Sequence, residues 1–296
     1  MREIEIVRAN DEWNPQMWWS LGKESVLLLE MDVIDFLKTI PPSSASLIVT
    51  SPPYNIGKEY ERGKTTPLER YVEWQREVVS TAVTCLKPDG HICWQVGNYV
   101  RGKEVAPLDC ELYPIFKDLG LHFRNRIIWH FGHGLHSTRR FSGRHETILW
   151  FTKGDNYFFD VDPVRVPQKY PNKRQYKGPR KGQLSGNPLG KSPGDVWSIP
   201  NVKSNHCEKT DHPCQFPVEL VERLVLTMTQ PGDLVVDPFV GVGSSLIAAF
   251  RHGRRAAGCD LEPRYLDIVE DRLRQEAAGT LKTRRMGKPI HDPKEG

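Results

Sequence analysis

The sequence predicts an α/β fold, a doubly wound and mostly parallel sheet with a small basic insert, and three stretches carry that prediction. Leu47-Ile48-Val49-Thr50 is an apolar, β-branched run that reads as a buried strand, and it halts at Ser51-Pro52-Pro53-Tyr54. Leu234 to Leu246 reads as a strand ending in Asp237, a turn at Phe239-Val240-Gly241-Val242-Gly243, and the start of a helix at Ser244. Ala256 to Asp260 is a further strand, and its terminal acid lies 17 residues beyond Gly243.

Each stretch has a physical meaning. Proline fixes φ and forces the residue before it into extended geometry, so Ser51 and Pro52 cannot continue into a helix. Tyr54 is therefore presented on a stiff support at the carboxyl end of a strand, where open α/β sheets bind ligands. Glycines at 241 and 243 let the backbone approach a ligand closely. Asp260, on the next strand, is placed to accept hydrogen bonds from ribose hydroxyls. A lone Gly-x-Gly turn also fits a plain βαβ unit, so the combination matters more than any one part.

Taken in order, residues 1–22 are polar and carry Trp13, Trp18 and Trp19, without a pattern that decides their role. Val26 to Glu30 reads as a strand, followed by Asp32 and a short helix, Val33 to Ile40, stopped by Pro41-Pro42. Asp32 suits either a helix N-cap or an acid facing a ligand. Gly57 to Thr66, with Lys58, Arg62 and Lys64, reads as a loop beside the Pro-Pro segment. Pro67 to Leu86 has helical spacing, Lys87 to Gly90 reads as a turn, and His91 to Val96 as a strand. Pro107 to Leu119 is helical, and Arg124 to Phe131 and Glu146 to Phe151 read as strands. Phe216 to Thr229 is an amphipathic helix, and Pro263 opens a last helix that Gly279 ends. Leu281 to Gly296 is a basic tail expected to be poorly ordered.

Charge is unevenly spread. The chain of 296 residues has a net charge of +4. Between Arg165 and Lys209, ten basic residues face two acids, a net +8 that exceeds the whole. Lys173, Arg174, Lys177, Arg180 and Lys181 form its densest part, with Tyr170 and Tyr176 interleaved. Such a concentration beside an α/β core is an electrostatic footprint for a polyanion. The six cysteines lack a repeated spacing, which fits reduced intracellular thiols. No secretory signal and no run of some 18 apolar residues is visible, so a cytoplasmic protein without a membrane span is expected. No metal is expected. The histidines of 132–145 lack a Cys or acid at ligand spacing, and His206, Cys207, His212 and Cys214 are irregularly spaced.

Together, Ser51-Pro52-Pro53-Tyr54 and Phe239-x-Gly241-x-Gly243 resemble the two motifs of the DNA amino-methyltransferases that use S-adenosyl-L-methionine. The catalytic motif comes first and the cofactor motif last, which resembles the circularly permuted β class. His212-Pro213-Cys214-Gln215-Phe216-Pro217 is similar to the segment that opens the helix beside the methionine end of the cofactor. The resemblance implies a Rossmann-like methyltransferase fold in four parts: a catalytic half (1–154), a target-recognition insert (155–209), a cofactor half (210–279) and the tail (280–296). It implies cofactor contacts at Asp32, His212, Asp237, Phe239, Gly241, Gly243, Ser244 and Asp260. It also turns the 132–145 loop toward the target base, with Phe141 stacking and Arg140 or Arg144 meeting phosphate.

The implied substrate is double-stranded DNA with the target base flipped out. Ser51 and the Pro52 carbonyl would accept hydrogen bonds from the exocyclic amine, whose lone pair is otherwise delocalised into the ring. Pro53 would stiffen the segment, and Tyr54 would stack on the base. In the family, Ser at the first position goes mainly with cytosine N4, and adenine N6 is the alternative. A nicotinamide-dependent Rossmann enzyme would explain the glycines and Asp260, but neither the Pro-Pro-Tyr segment nor the basic insert. An inactive DNA-binding homologue should have lost one of the two motifs, and both are intact. The class leaves open a monomer or a homodimer, and a cognate restriction endonuclease as a separate protein.

Overall fold

The computed structural model describes residues 3–9, 22, 25–57, 65–101, 104–132, 134, 136–203 and 205–288. Trp13, Trp18 and Trp19, the loop cations Lys58, Arg62 and Lys64, and the last eight residues lie outside them.

The elements run β1 (Glu5–Ala9), β2 (Ser25–Glu30), α1 (Val33–Thr39), β3 (Ala45–Thr50), α2 (Leu68–Cys85) and β4 (Leu86–Val96). A hairpin follows, β5 (Asn98–Arg101) with β6 (Glu104–Pro107), then α3 (Leu108–Asp118), β7 (His122–His130), β8 (His145–Thr152) and β9 (Val196–Ser198). The chain ends with α4 (Val218–Met228), β10 (Leu234–Asp237), α5 (Ser244–Arg251), β11 (Arg255–Asp260) and α6 (Pro263–Ala278).

Nine strands form one sheet in the order β1-β2-β11-β10-β3-β4-β8-β7-β9. Neighbours are parallel except where β8 runs against β4 and β7. Strand alternation divides the core in two. Leu27, Leu29 and Ile48 face α1, α2 and α3 on one side, whereas Val26, Leu28, Leu47 and Val49 face α4, α5 and α6 on the other. Both faces are covered, which is why these strands read as continuous apolar runs rather than alternating ones.

Strand β10 pairs with β3, but the chain leaves β3 toward β4 and leaves β10 toward β11, in opposite directions across the sheet. That divergence opens a crevice at the carboxyl ends of the two strands, the general ligand position of such sheets.

Four segments differ from the sequence-based expectation. Glu5–Ala9 adds a parallel edge strand on β2. The expected turn at Lys87 to Gly90 is a bulge within β4, since Ala45 pairs with Leu86 and Leu47 with His91. The basic insert, for which the sequence suggests no strand, holds paired segments: β9 joins the main sheet beside β7, and residues 173–185 fold back through an Arg174–Leu184 bridge. The tail is docked as far as Lys288, because Arg284 pairs with Glu219, a carboxylate fully buried in α4, and the Arg284 N–H donates to Glu208 Oε1 at 3.0 Å. A buried carboxylate needs such a counter-charge, and the tail supplies it.

Candidate active site

The crevice is a cavity lined by Met31, Asp32, Ser51, Pro52, Pro53, Tyr54, Trp74, His212, Gln215, Phe239, Gly241, Ser244, Asp260 and Leu261, among others. Segments at both ends of the chain therefore meet on one wall.

Asp260 lines the cavity from the carboxyl end of β11. Its carboxylate accepts the Gly241 N–H at 3.0 Å and the Glu262 N–H at 2.9 Å, which ties the glycine turn to the end of β11. Burial pushes its pKa up to about 6. Asp32 is exposed, caps α1 by accepting the Ile34 N–H at 2.8 Å, and lines the cavity.

Asp237 departs from the expectation. It is fully buried and does not line the cavity. Its carboxylate takes the Thr50 hydroxyl at 2.6 Å, the Phe239 N–H at 3.1 Å and the Ser245 hydroxyl. It joins β3, β10 and α5 and sets the turn, so any effect on a ligand is indirect. Burial pushes its pKa up to about 6.

The turn needs its second glycine. Gly243 has φ +78°, a region that side chains disfavour, and a Cβ there would fall 2.7 Å from Val269 Cγ1. Ser244 follows, donating from its hydroxyl to the Phe216 carbonyl at 2.8 Å. Phe239 packs edge-on against Trp74, with ring centres 5.7 Å apart. His212 packs edge-on against Tyr265 at 4.6 Å and accepts the Cys214 N–H at 3.2 Å on Nδ1. Burial, with Lys209 and Arg264 nearby, lowers its pKa to about 4, so it is neutral at physiological pH.

The Pro-Pro segment is braced from below. The Tyr71 hydroxyl on α2 donates to the Pro53 carbonyl at 2.8 Å. Asn55 adopts φ +60°, and its side chain bonds the Thr66 N–H and carbonyl, both at 2.7 Å, which pins the two ends of the intervening loop. Ser51 Oγ lies 2.8 Å from the Tyr54 hydroxyl, which donates to Glu146 Oε2 at 3.1 Å. Gln95 Nε2 donates to the same Glu146 oxygen at 2.8 Å and approaches the Tyr54 hydroxyl at 3.4 Å. Burial pushes the Glu146 pKa up.

The family model of DNA methylases matches residues 45–271. The chain belongs to that family, the N6/N4 DNA methylases. The chain is similar to the type II methyltransferase M.BglII of Bacillus subtilis, 51% identical over 239 residues, covering 80% of this chain and 66% of that protein. It is also similar to the DNA adenine methyltransferase YhdJ of Escherichia coli K12, 29% identical over 85% of this chain and 84% of that one. Among solved structures, a Thermus thermophilus protein assigned as a DNA modification methylase is 30% identical, with TM-score 0.60, over 85% of this chain and 95% of that one. That protein has also been solved with S-adenosyl-L-methionine. The cytosine-N4-specific PvuII DNA methyltransferase shares the fold, with TM-score 0.66 at 22% identity over 88% of this chain and 93% of that one.

The methylase fold is thus Rossmann-like and mostly parallel, and the cofactor of the family is S-adenosyl-L-methionine. The cavity suits that molecule: carboxylates able to take hydroxyl donors at Asp32 and Asp260, the aromatic rings of Trp74 and Phe239, and the Ser51–Tyr54 segment line it together.

The expected DNA-contacting residues lie away from the cavity wall. Phe141 is fully exposed on the 131–144 loop, Arg140 is exposed and Arg144 half-buried. Lys173, Arg174, Lys177, Arg180 and Lys181 are all exposed on the 173–185 fold-back. His206, Cys207 and Glu208 have donor atoms within 4.8 Å of one another, but the Glu208 carboxylate already accepts the Val218 and Arg284 N–H groups. His212 stands in the cavity wall instead. Among the described residues, no helix is long and apolar enough to cross a membrane.

Sequence reasoning missed Trp74, Gln95 and Glu146. Gln95 had a visible signal: a polar amide inside the apolar run His91 to Val96, where burial demands a partner. Glu146 precedes Thr147 and the apolar run Ile148 to Phe151, and Trp74, three residues after Tyr71 and four before Val78, shares the apolar spacing of α2 and reads as core.

Proposed function

We propose that this methylase transfers the methyl group of S-adenosyl-L-methionine to N4 of a cytosine flipped out of duplex DNA at a specific sequence. The observation that carries this is the meeting of Ser51–Tyr54 with Phe239, Gly241 and Asp260 in one cavity. Asp260 would take the ribose hydroxyls, with Asp32 near the adenine and His212, Ser244 and Gly243 along the remaining wall. Ser51 Oγ and the Pro52 carbonyl would accept the amino protons and concentrate electron density on nitrogen. The Tyr54 ring would stack on the base. Much of the acceleration would come from aligning nitrogen, methyl and sulfur.

The basic fold-back around Lys173, Arg174, Lys177, Arg180 and Lys181 would hold the phosphate backbone, with Arg140 and Arg144 adding to it. Phe141, an apolar ring left in solvent, fits a stacking role on DNA bases. The type II relatives favour a cytoplasmic bacterial enzyme acting beside a cognate endonuclease carried on another chain. Adenine N6 is the second candidate, favoured by the likeness to the adenine methyltransferase YhdJ. Methyl transfer from labelled S-adenosyl-L-methionine to duplex DNA, followed by mass spectrometry of the nucleosides, tests this. N4-methylcytosine is the expected product; N6-methyladenine would move the target to adenine, and unlabelled DNA would remove the assignment.

A further inference from the structure

A serine hydroxyl is a poor substitute for a carboxylate acceptor. It can point its proton toward the incoming amine as easily as away from it, and it is far too weak a base to keep the proton that the amine must finally lose. Three further side chains address both problems. Gln95 comes from β4 and Glu146 from β8, and the two meet the Tyr54 hydroxyl beside Ser51. Glu146 Oε2 accepts from Gln95 and from Tyr54. Because Tyr54 donates to the carboxylate, its oxygen is left to accept the Ser51 proton at 2.8 Å. Ser51 Oγ then offers only lone pairs to the cavity.

We propose that Glu146 is the positioning residue of the methyl-transfer site, the carboxylate end of a relay through the Tyr54 and Ser51 hydroxyls. It fixes Ser51 as an acceptor and takes up the proton released by the methylated amine. The inference rests on amino-group methylation at Ser51. In the relay the N–H bond breaks and its electron pair stays on nitrogen. That proton passes to Ser51 Oγ, the Ser51 proton to the Tyr54 oxygen, and the Tyr54 proton to Glu146 Oε2. Nitrogen, which became cationic on gaining the methyl group, is neutral again, and the carboxylate is neutralised.

The neighbours of Glu146 fit that task. Tyr54, with Ser51 behind it, faces it from the segment after β3, Gln95 from β4 and Trp129 across β7. None is charged at neutral pH. Arg144, two residues earlier, turns one guanidinium nitrogen to the Gly143 carbonyl at 3.0 Å. Burial raises the affinity of Glu146 for a proton and outweighs the hydrogen bonds from Gln95 and Tyr54, which suits a final acceptor. Gly97 gives the network its room: a Cβ there would lie 3.1 Å from the Tyr54 ring and 3.5 Å from Glu146 Cγ.

The test uses the full chain, with Glu146→Gln, Tyr54→Phe and the double variant. Glu146 does not line the cofactor cavity, so affinity for S-adenosyl-L-methionine reports whether Glu146→Gln is folded, and denaturant unfolding reports it for the two variants that alter Tyr54, which does line the cavity. Single-turnover methylation of duplex DNA should fall roughly a hundredfold in Glu146→Gln. The wild-type rate should decline as pH falls through the raised Glu146 pKa, and that acid limb should vanish in the variant. The double variant should be no slower than Tyr54→Phe, since the groups act as one unit. In the protein without cofactor or DNA, the ring signal of isotope-labelled Tyr54 should shift as Glu146 titrates, and should stay flat in Glu146→Gln. A brace that only supports the fold would lower stability without moving the acid limb. Tyr54→Phe, which deletes one oxygen, carries the same kinetic test should Glu146→Gln fold poorly. A wild type that methylates DNA while both single variants keep its rate and acid limb overturns the relay alone. A wild type that methylates no DNA amino group overturns the relay together with its premise.

Discussion

At the carboxyl ends of β2, β10 and β11, polar groups at the cavity have partners two residues away, Asp32 with Ile34, His212 with Cys214 and Asp260 with Glu262, and Asp260 reaches back only 19 positions to Gly241. At β3, β4 and β8 the groups that meet come from positions 51, 54, 95 and 146. The first region is parallel and locally wired; the second depends on β8 running backward between β4 and β7. The difference separates two tasks. A cofactor common to a whole family can be held by a short local turn. The pocket proposed for the target base gathers groups from distant strands, and these depend on the antiparallel edge being in register.

The two regions should part most sharply under Ser51→Ala. Removing the acceptor leaves the local wiring intact, so cofactor affinity should stay within about threefold while turnover falls roughly 10²–10³-fold, as for loss of one preorganised transition-state contact. Equilibrium binding of S-adenosyl-L-methionine alongside single-turnover methylation measures both. Loss of affinity at normal turnover would place Ser51 on the cofactor side.

In the proposed reading, the exposed basic fold-back extends the base side toward DNA. Replacing Lys173, Arg174, Arg180 and Lys181 by Gln should weaken DNA binding and reduce the slope of log K against log salt, by up to about 3.6 if all four meet phosphate. Cofactor affinity should not change. An unaltered slope would make the fold-back a bystander, and the exposed cluster of Arg140, Phe141 and Arg144 would become the place to look.

How much was legible in the sequence follows the same division. The strand-turn-helix at 234–246 and the halted strand at 47–54 were readable because their information is local: proline stops, glycine turns and terminal acids. The nine-strand order, the edge strand Glu5–Ala9 and the entry of Val196–Ser198 into the sheet were not, since pairing joins residues far apart in sequence. Glu146 was invisible for the same reason. It becomes interpretable only once β8 lies beside β4 and brings it within 2.8 Å of Gln95. The docked tail was hidden too, because Arg284 finds Glu219 65 positions away.

On the cofactor side, Asp260→Ala should weaken S-adenosyl-L-methionine binding about tenfold or more, the loss of a hydrogen bond to a charged group of roughly 1.5–3 kcal/mol. Turnover at saturating cofactor should be largely kept. The pH dependence has a defined sign. Hydroxyl donors prefer the ionised carboxylate, so affinity should be full above the Asp260 pKa of about 6 and should decline as pH falls through it. Calorimetric titration between pH 5 and 8 reads this, and a flat profile would move the ribose contact away from Asp260.

Asp237 should give the smallest change at the cavity although its pKa is raised as far, to about 6. Its carboxylate faces Thr50, Ser245 and the Phe239 N–H rather than the ligand, so Asp237→Asn should show its effect in stability. Between the unfolded value near 3.8 and about 6 the folded state holds the proton more tightly. This group's contribution to stability is therefore complete below the unfolded pKa and lost as pH rises through about 6, a cost of about 3 kcal/mol at neutral pH. Asparagine cannot ionise and escapes that loss. The stability deficit of the variant, which comes from presenting an amide to hydroxyl and N–H donors, should shrink by a comparable amount between pH 4 and pH 7. Denaturant unfolding at the two pH values measures the gap. A deficit that is constant with pH would mean that Asp237 is ionised at little cost, its three donors fully offsetting its burial, and the two aspartates would then differ only in what they face.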